Sequence, residues 1–171
     1  MQDMASFLPG SASALFGLPG AGKTTWALER AAELLAQGWS VNWLNLSEHA
    51  EGMLERARGH LGDAATGSPW VLTSSLDWGK AIEAFSPKRE SLMVIDYLQM
   101  AGTAQAEAEL LDAVRLAIQK SGARALVLAQ TSRLDADSKA IPHPLLATAL
   151  GGRADIIWLL DPNGGARTLK S

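Results

Sequence analysis

The sequence contains no cysteine. That absence excludes a disulfide scaffold, thiol chemistry and an iron–sulfur centre held by the chain alone. The three histidines, His49, His60 and His143, have no paired-ligand spacing, so no dedicated zinc site is expected. Blocks of one charge are missing too. Lys+Arg 15 against Asp+Glu 18 gives a net charge of −3, so no large basic field marks a nucleic-acid binder by charge alone. No apolar run approaches the ~20 residues needed to span a bilayer; the longest, Ser91–Leu98, is interrupted by Asp96. Met1–Pro9 lacks the basic start and apolar stretch of a secretory signal, so the expectation is a cytoplasmic chain without membrane contact. Aromatics are scarce except for tryptophan, with Trp 6 against Tyr 1 and Phe 3.

What remains is a well-packed globule. The 171 residues are 47% apolar and 19% charged, which fits one folded core and excludes a disordered chain. The whole span 1–171 is expected to be a single domain, with 1–11 a flexible N-terminal segment and 161–171 a turn and hairpin strand. Short apolar runs alternate with longer amphipathic segments. Strands are expected at Ser13–Phe16, Ser40–Leu46, Pro69–Thr73, Ser91–Tyr97, Ala125–Gln130 and Ala154–Leu160, with Ala166–Leu169 as a hairpin return. Helices are expected at Thr24–Gln37, Glu48–His60 (capped by Ser47), Leu76–Phe85 (able to start near Ser75 or Asp77) and Gln105–Lys120, with the Ala-rich stretch Ala101–Ala108 reading as the start of a helix. Strands apolar on both faces and alternating with helices indicate an α/β chain with a mostly parallel sheet covered on both sides. Ligands in such sheets sit at the carboxyl ends of the strands.

Gly17-Leu18-Pro19-Gly20-Ala21-Gly22-Lys23-Thr24 matches G-x-x-x-x-G-K-[ST], the Walker A pattern, between an expected strand and an expected helix. Glycines let the loop curl so that successive N–H groups face phosphate oxygens, and the helix adds its positive end. Lys23 reaches the terminal phosphates and the Thr24 hydroxyl is placed for Mg²⁺. Gly17, Pro19, Gly20, Ala21, Gly22, Lys23, Thr24 and Thr25 form the expected nucleotide-binding set.

Leu92-Met93-Val94-Ile95-Asp96 is an apolar strand ending in aspartate, the form of a Walker B segment, with Asp96 as the second metal-side residue. The next residue is Tyr97 rather than the glutamate that many ATPases place there, so a general base must come from another strand end. Glu48, following the second strand, is the best placed; its position suits a first-turn helix glutamate equally well. Gln130 closes the fifth strand, where it can sense the γ-phosphate or orient water, or simply bond loop backbone.

Together these four stations resemble the RecA-like ATPase domain of the DnaB-type replicative helicases. Met93-Val94-Ile95-Asp96-Tyr97-Leu98-Gln99-Met100 is similar to that family's Walker B segment, with its Asp-Tyr-Leu-Gln. Asn45-Leu46-Ser47-Glu48 resembles the segment after the second strand, and Ala129-Gln130-Thr131-Ser132-Arg133 resembles the family's Ser-Gln-Leu-x-Arg. The tract Leu145–Leu160 resembles a further family segment, so the likeness runs from about Leu15 to Leu160.

The resemblance implies a three-layer RecA-like P-loop NTPase fold, ATP and Mg²⁺ as ligands, Glu48 as the base that activates water, and Gln130 as phosphate sensor. It implies an oligomeric ring with sites completed by the neighbouring subunit, acting on single-stranded DNA. Tyr97 and Gln99 become candidates for the route from nucleotide to nucleic acid, with apolar packing the favoured role of Tyr97. The chain departs from the family pattern in beginning almost at the phosphate loop and in carrying only Lys170 where a basic pair is expected. The tract 132–145 balances Arg133 and Lys139 against Asp135 and Asp137. These departures support an alternative expectation, a small ATP-dependent switch acting on a protein partner. Trp70 and Trp78, flanking the third strand, are the candidate partner surface, whereas Trp26, Trp39, Trp43 and Trp158 are expected in the core.

Overall fold

The computed structural model describes residues 8–46, 50–66, 70–74, 77–130, 154–160 and 165–170. Among these, seven strands form one sheet in the order β3-β2-β4-β5-β1-β6-β7. They are β1 (Ala12–Gly17), β2 (Ser40–Asn45), β3 (Trp70–Ser74), β4 (Ser91–Asp96), β5 (Arg124–Gln130), β6 (Ile156–Leu160) and β7 (Ala166–Lys170). All neighbours from β3 to β6 pair in parallel, and β7 turns back antiparallel to β6 across a bulge. Four helices connect them: α1 (Lys23–Ala36), α2 (Ala50–Leu61), α3 (Trp78–Phe85) and α4 (Ala104–Ser121).

Strands β1, β4 and β5 consist almost entirely of buried residues, because helices cover both of their faces. On one face, α1 and α2 bring Trp26, Leu28, Leu34, Met53 and Ala57 against Leu15, Val41, Trp43, Val94 and Leu128. On the other, α3 and α4 bring Ile82, Phe85, Leu110, Val114 and Ile118 against Phe16, Leu44, Met93, Ile95 and Val127. Alternate residues of each strand therefore serve alternate layers, and the result is the expected three-layer α/β fold. No helix among the described residues is long and apolar enough to cross a membrane.

Capping residues and loop contacts set the local boundaries. The third helix takes the later of its two expected starts: it begins after Asp77, whose carboxylate accepts from the Lys80 amide. The Ala-rich stretch Ala101–Ala108 is α-helical only from Ala104: Leu98–Ala101 forms a short 3-10 turn, and α4 starts behind the Thr103 cap. Gly10 donates to the Ala123 carbonyl and the Ser11 carbonyl accepts from Ala125, so the chain is held from just before β1.

The tryptophan expectation is half corrected. Trp26, Trp39, Trp43 and Trp158 are buried as expected, but so is Trp70, only 6% exposed, with its ring centroid 5.5 Å from that of Trp43. Trp78 packs partly buried against the α3–α4 layer. Trp70 is spent on the core because β3 lies beside β2 and its inward positions meet α2, which removes it from any partner surface.

Candidate nucleotide site

Strand β1 delivers the glycine-rich loop to the centre of the sheet's carboxyl edge, with β5 on one side and β6 on the other. A Cβ on Gly17 would meet the Leu160 carbonyl and the Lys23 side chain, each at 3.3 Å, so a larger residue would push on both as the loop leaves the strand. Gly22 has φ +89, a left-handed conformation that a side chain would strain, and no atom stands within 4 Å of where its Cβ would be. That residue also caps α1 without a side-chain bond, and the first turn of α1 carries no acidic residue. The amides there are left for an acceptor from outside the helix, and the helix end favours an anion.

Lys23 is the first residue of α1 and is only 8% exposed. Its Nζ donates to the Gly17 and Leu18 carbonyls, both at 2.9 Å, which folds the side chain back over the loop. Burial pushes its pKa below the ordinary lysine value, and the nearby Asp96 charge opposes that shift. The Thr24 hydroxyl donates to Asp96 Oδ2 at 3.0 Å, joining the start of α1 to the end of β4. Asp96 itself is 2% exposed. A cavity of about 580 Å³ opens over these groups. Gly20, Gly22, Lys23, Thr24, Thr25 and Asp96 line it, together with Tyr97 and Gln130. Gln130 reaches it because β5 pairs with β1 so that Gln130 stands opposite Gly17.

The structure therefore brings Lys23, Thr24, Thr25, Asp96 and Gln130 together with Gly20 and Gly22. Gly17, Pro19 and Ala21 build the loop without lining the cavity: Gly17 turns its carbonyl to Lys23, and Ala21 donates its amide to Leu18. Glu48, with its expected capping neighbour Ser47, lies outside the described residues, as do the tract 131–153 and the side chains of Gln99 and Lys170.

One lining residue was not anticipated. Arg56, on α2, also lines the cavity. The signal was weak, because Arg56 is one of several exposed charges on α2, with Glu51, Glu55 and Arg58, and reads as one more solvated group.

The donor set suits a magnesium-bound polyphosphate. Among the described residues, no three His, Cys, Asp or Glu side chains come together into a protein-only metal cage. One hydroxyl and one carboxylate at 3.0 Å are what Mg²⁺ uses when phosphate oxygens and water complete its shell.

No protein-family model matches the chain, and no curated protein matches it. Solved structures do. One of them, an ATPase domain, superposes with a TM-score of 0.66 at 18% identity, covering 90% of this chain and 70% of that one. A DnaB-like replicative helicase, solved in a study of its interactions with primase, superposes with a TM-score of 0.64 at 18% identity. That match covers 90% of this chain and 47% of the helicase, so the chain spans less than half of that protein's length. At this identity the likeness is one of architecture: the chain has the RecA-like fold of DnaB-type helicase ATPase domains.

Proposed function

We propose that the chain binds Mg·ATP at the β1–α1 loop and hydrolyses its γ-phosphate. The observation that carries this reading is the convergence of the buried Lys23 and the Thr24–Asp96 pair on one cavity at the carboxyl edge of a parallel sheet. Lys23 and the loop amides bind the terminal phosphates and stabilise charge as it shifts in the transition state. Thr24 and Asp96 would hold Mg²⁺, which when bound neutralises the β- and γ-oxygens. Arg56 adds a second cation from α2, and Gln130 orients the attacking water or reports loss of the phosphate. Glu48 takes the proton from that water, a role that rests on the resemblance of Asn45-Leu46-Ser47-Glu48 to the helicase segment. ATP rather than GTP rests on the same resemblance.

Two variants test the chemistry. Lys23→Ala removes the charge that grips the phosphates, and nucleotide binding is expected to fall below detection. Glu48→Gln keeps the shape and removes the base, so binding should persist while turnover falls by roughly 10²–10⁴-fold. Loss of binding together with turnover in Glu48→Gln would make that residue structural.

The fold likeness supports a finer reading, in which copies of the chain form a ring and couple hydrolysis to movement on single-stranded DNA. A second reading, an ATP-dependent switch that regulates a protein partner, is favoured by the net charge of −3. A phosphate-tracking motor commonly carries a positive groove.

A further inference from the structure

Beyond the residues that line the cavity, the carboxyl edge of the sheet holds a polar row reaching back to its outer strand. Asn45 closes β2, and its register partners are Ser74 on β3 and Asp96 on β4. Neighbouring strands lie about 4.8 Å apart. All three side chains point to the face that carries α1, since Trp43, Leu72 and Val94, two residues earlier on each strand, pack in that layer. The Asn45 amide nitrogen donates to Ser74 Oγ at 2.9 Å, and Asp96 Oδ2 accepts from Thr24 at 3.0 Å. Past the register, the Leu46 amide donates to the Asp96 carbonyl at 2.6 Å and ties the ends of β2 and β4. In sheet order the row reads Ser74, Asn45, Asp96, and Thr24 meets its end from α1.

Asn45 is 2% exposed and does not line the cavity. An apolar side chain would occupy such a place at lower cost, as Val41 and Trp43 do earlier on the same strand, because a buried amide must find bonding partners. The neighbour that gives a polar group a purpose here is the equally buried Asp96. A carboxylate at position 45 would repel it and a lysine would neutralise it; an amide does neither. We propose that Asn45, anchored by Ser74, is a positioning residue for Asp96. It holds the carboxylate toward Thr24 and so sets the divalent-cation affinity of the site. This rests on the reading of Thr24 and Asp96 as the Mg²⁺-holding pair.

The test is a Mg²⁺ titration of the binding of a fluorescent ATP analogue to the full chain, which needs no turnover. Asn45→Leu keeps the bulk and removes both polar atoms. It should raise the Mg²⁺ concentration for half-maximal tight binding by about 10-fold, with binding in chelator unchanged. Ser74→Ala should move it in the same direction by roughly 3-fold. A merely structural role would lower the melting temperature and leave the Mg²⁺ dependence where it was. Folded Asn45→Leu and Ser74→Ala proteins with wild-type Mg²⁺ dependence overturn the assignment. Should Asn45→Leu fail to fold, Ser74→Ala, a small deletion on the edge strand, decides alone. Wild-type protein that binds the analogue equally well with and without Mg²⁺ overturns the metal reading of Thr24 and Asp96, and the Asn45 assignment with it. Wild-type protein that binds no analogue at any Mg²⁺ concentration overturns the nucleotide reading itself.

Discussion

Burial withdraws water from the Lys23 ammonium while Asp96 keeps a negative charge near it, and burial is the larger influence. The lysine therefore loses its proton at a lower pH than an exposed lysine does. Two consequences have opposite signs. In the window between its lowered folded value and its unfolded value, the unfolded chain binds more protons, so Lys23 makes stability rise with pH there. Phosphate binding needs the charged form, so affinity for ATP should fall as pH rises through the same window. Titrating affinity from neutral to alkaline pH checks this, with Lys23→Arg as the comparison; its guanidinium stays charged and should remove the alkaline decline. A decline of equal size in both proteins would assign the effect to another group. Lys23, Thr24 and Asp96 were legible in the sequence because their roles depend on short spacing and a strand end. Arg56 and Asn45 were not, because each matters only through what the sheet order and the α2 packing bring beside it.

The longest helix shows how local chemistry and packing divide the work. Helix α4 buries Leu110, Leu111, Val114 and Ile118 along one stripe, and that period was readable without a structure. Its start was not. The Ala-rich run suggests helix from 101 onward, yet Thr103 sits in extended backbone and its Oγ1 accepts from the Ala106 amide at 3.1 Å. Alanine tolerates both states, so the hydroxyl decides the boundary. Thr103→Ala should cost about 1 kcal/mol, read as a shift of the urea midpoint with unchanged slope. No loss would mean that the packed stripe fixes the start by itself. The third strand carries the opposite lesson. Five residues are too few for alternation to say which face of Trp70 is covered, and only the pairing of β3 with β2 buries it against Trp43.

At the scale of the molecule, the strand order sets β5 between β1 and β4, so phosphate loop, Gln130 and Asp96 meet at one edge. Expected α/β class and three layers followed from the alternation of apolar strands and amphipathic helices; the order of strands did not, since parallel crossovers leave no mark on composition. What this platform would do with a bound ATP turns on charge. The chain is net −3, and Lys23 and Arg56 are the cations among the described residues lining the cavity. A ring moving on single-stranded DNA gathers backbone contacts from every subunit, so weak attraction per copy is compatible with tracking. The motor reading then predicts assembly in the presence of ATP, and turnover stimulated by single-stranded DNA at low salt, fading as salt rises. Mass measurement with and without ATP and DNA, alongside ATPase assays over a salt series, separates the readings. A permanent monomer whose turnover ignores DNA at every salt concentration rejects the motor and leaves a nucleotide-gated switch, in which hydrolysis times the release of a protein partner.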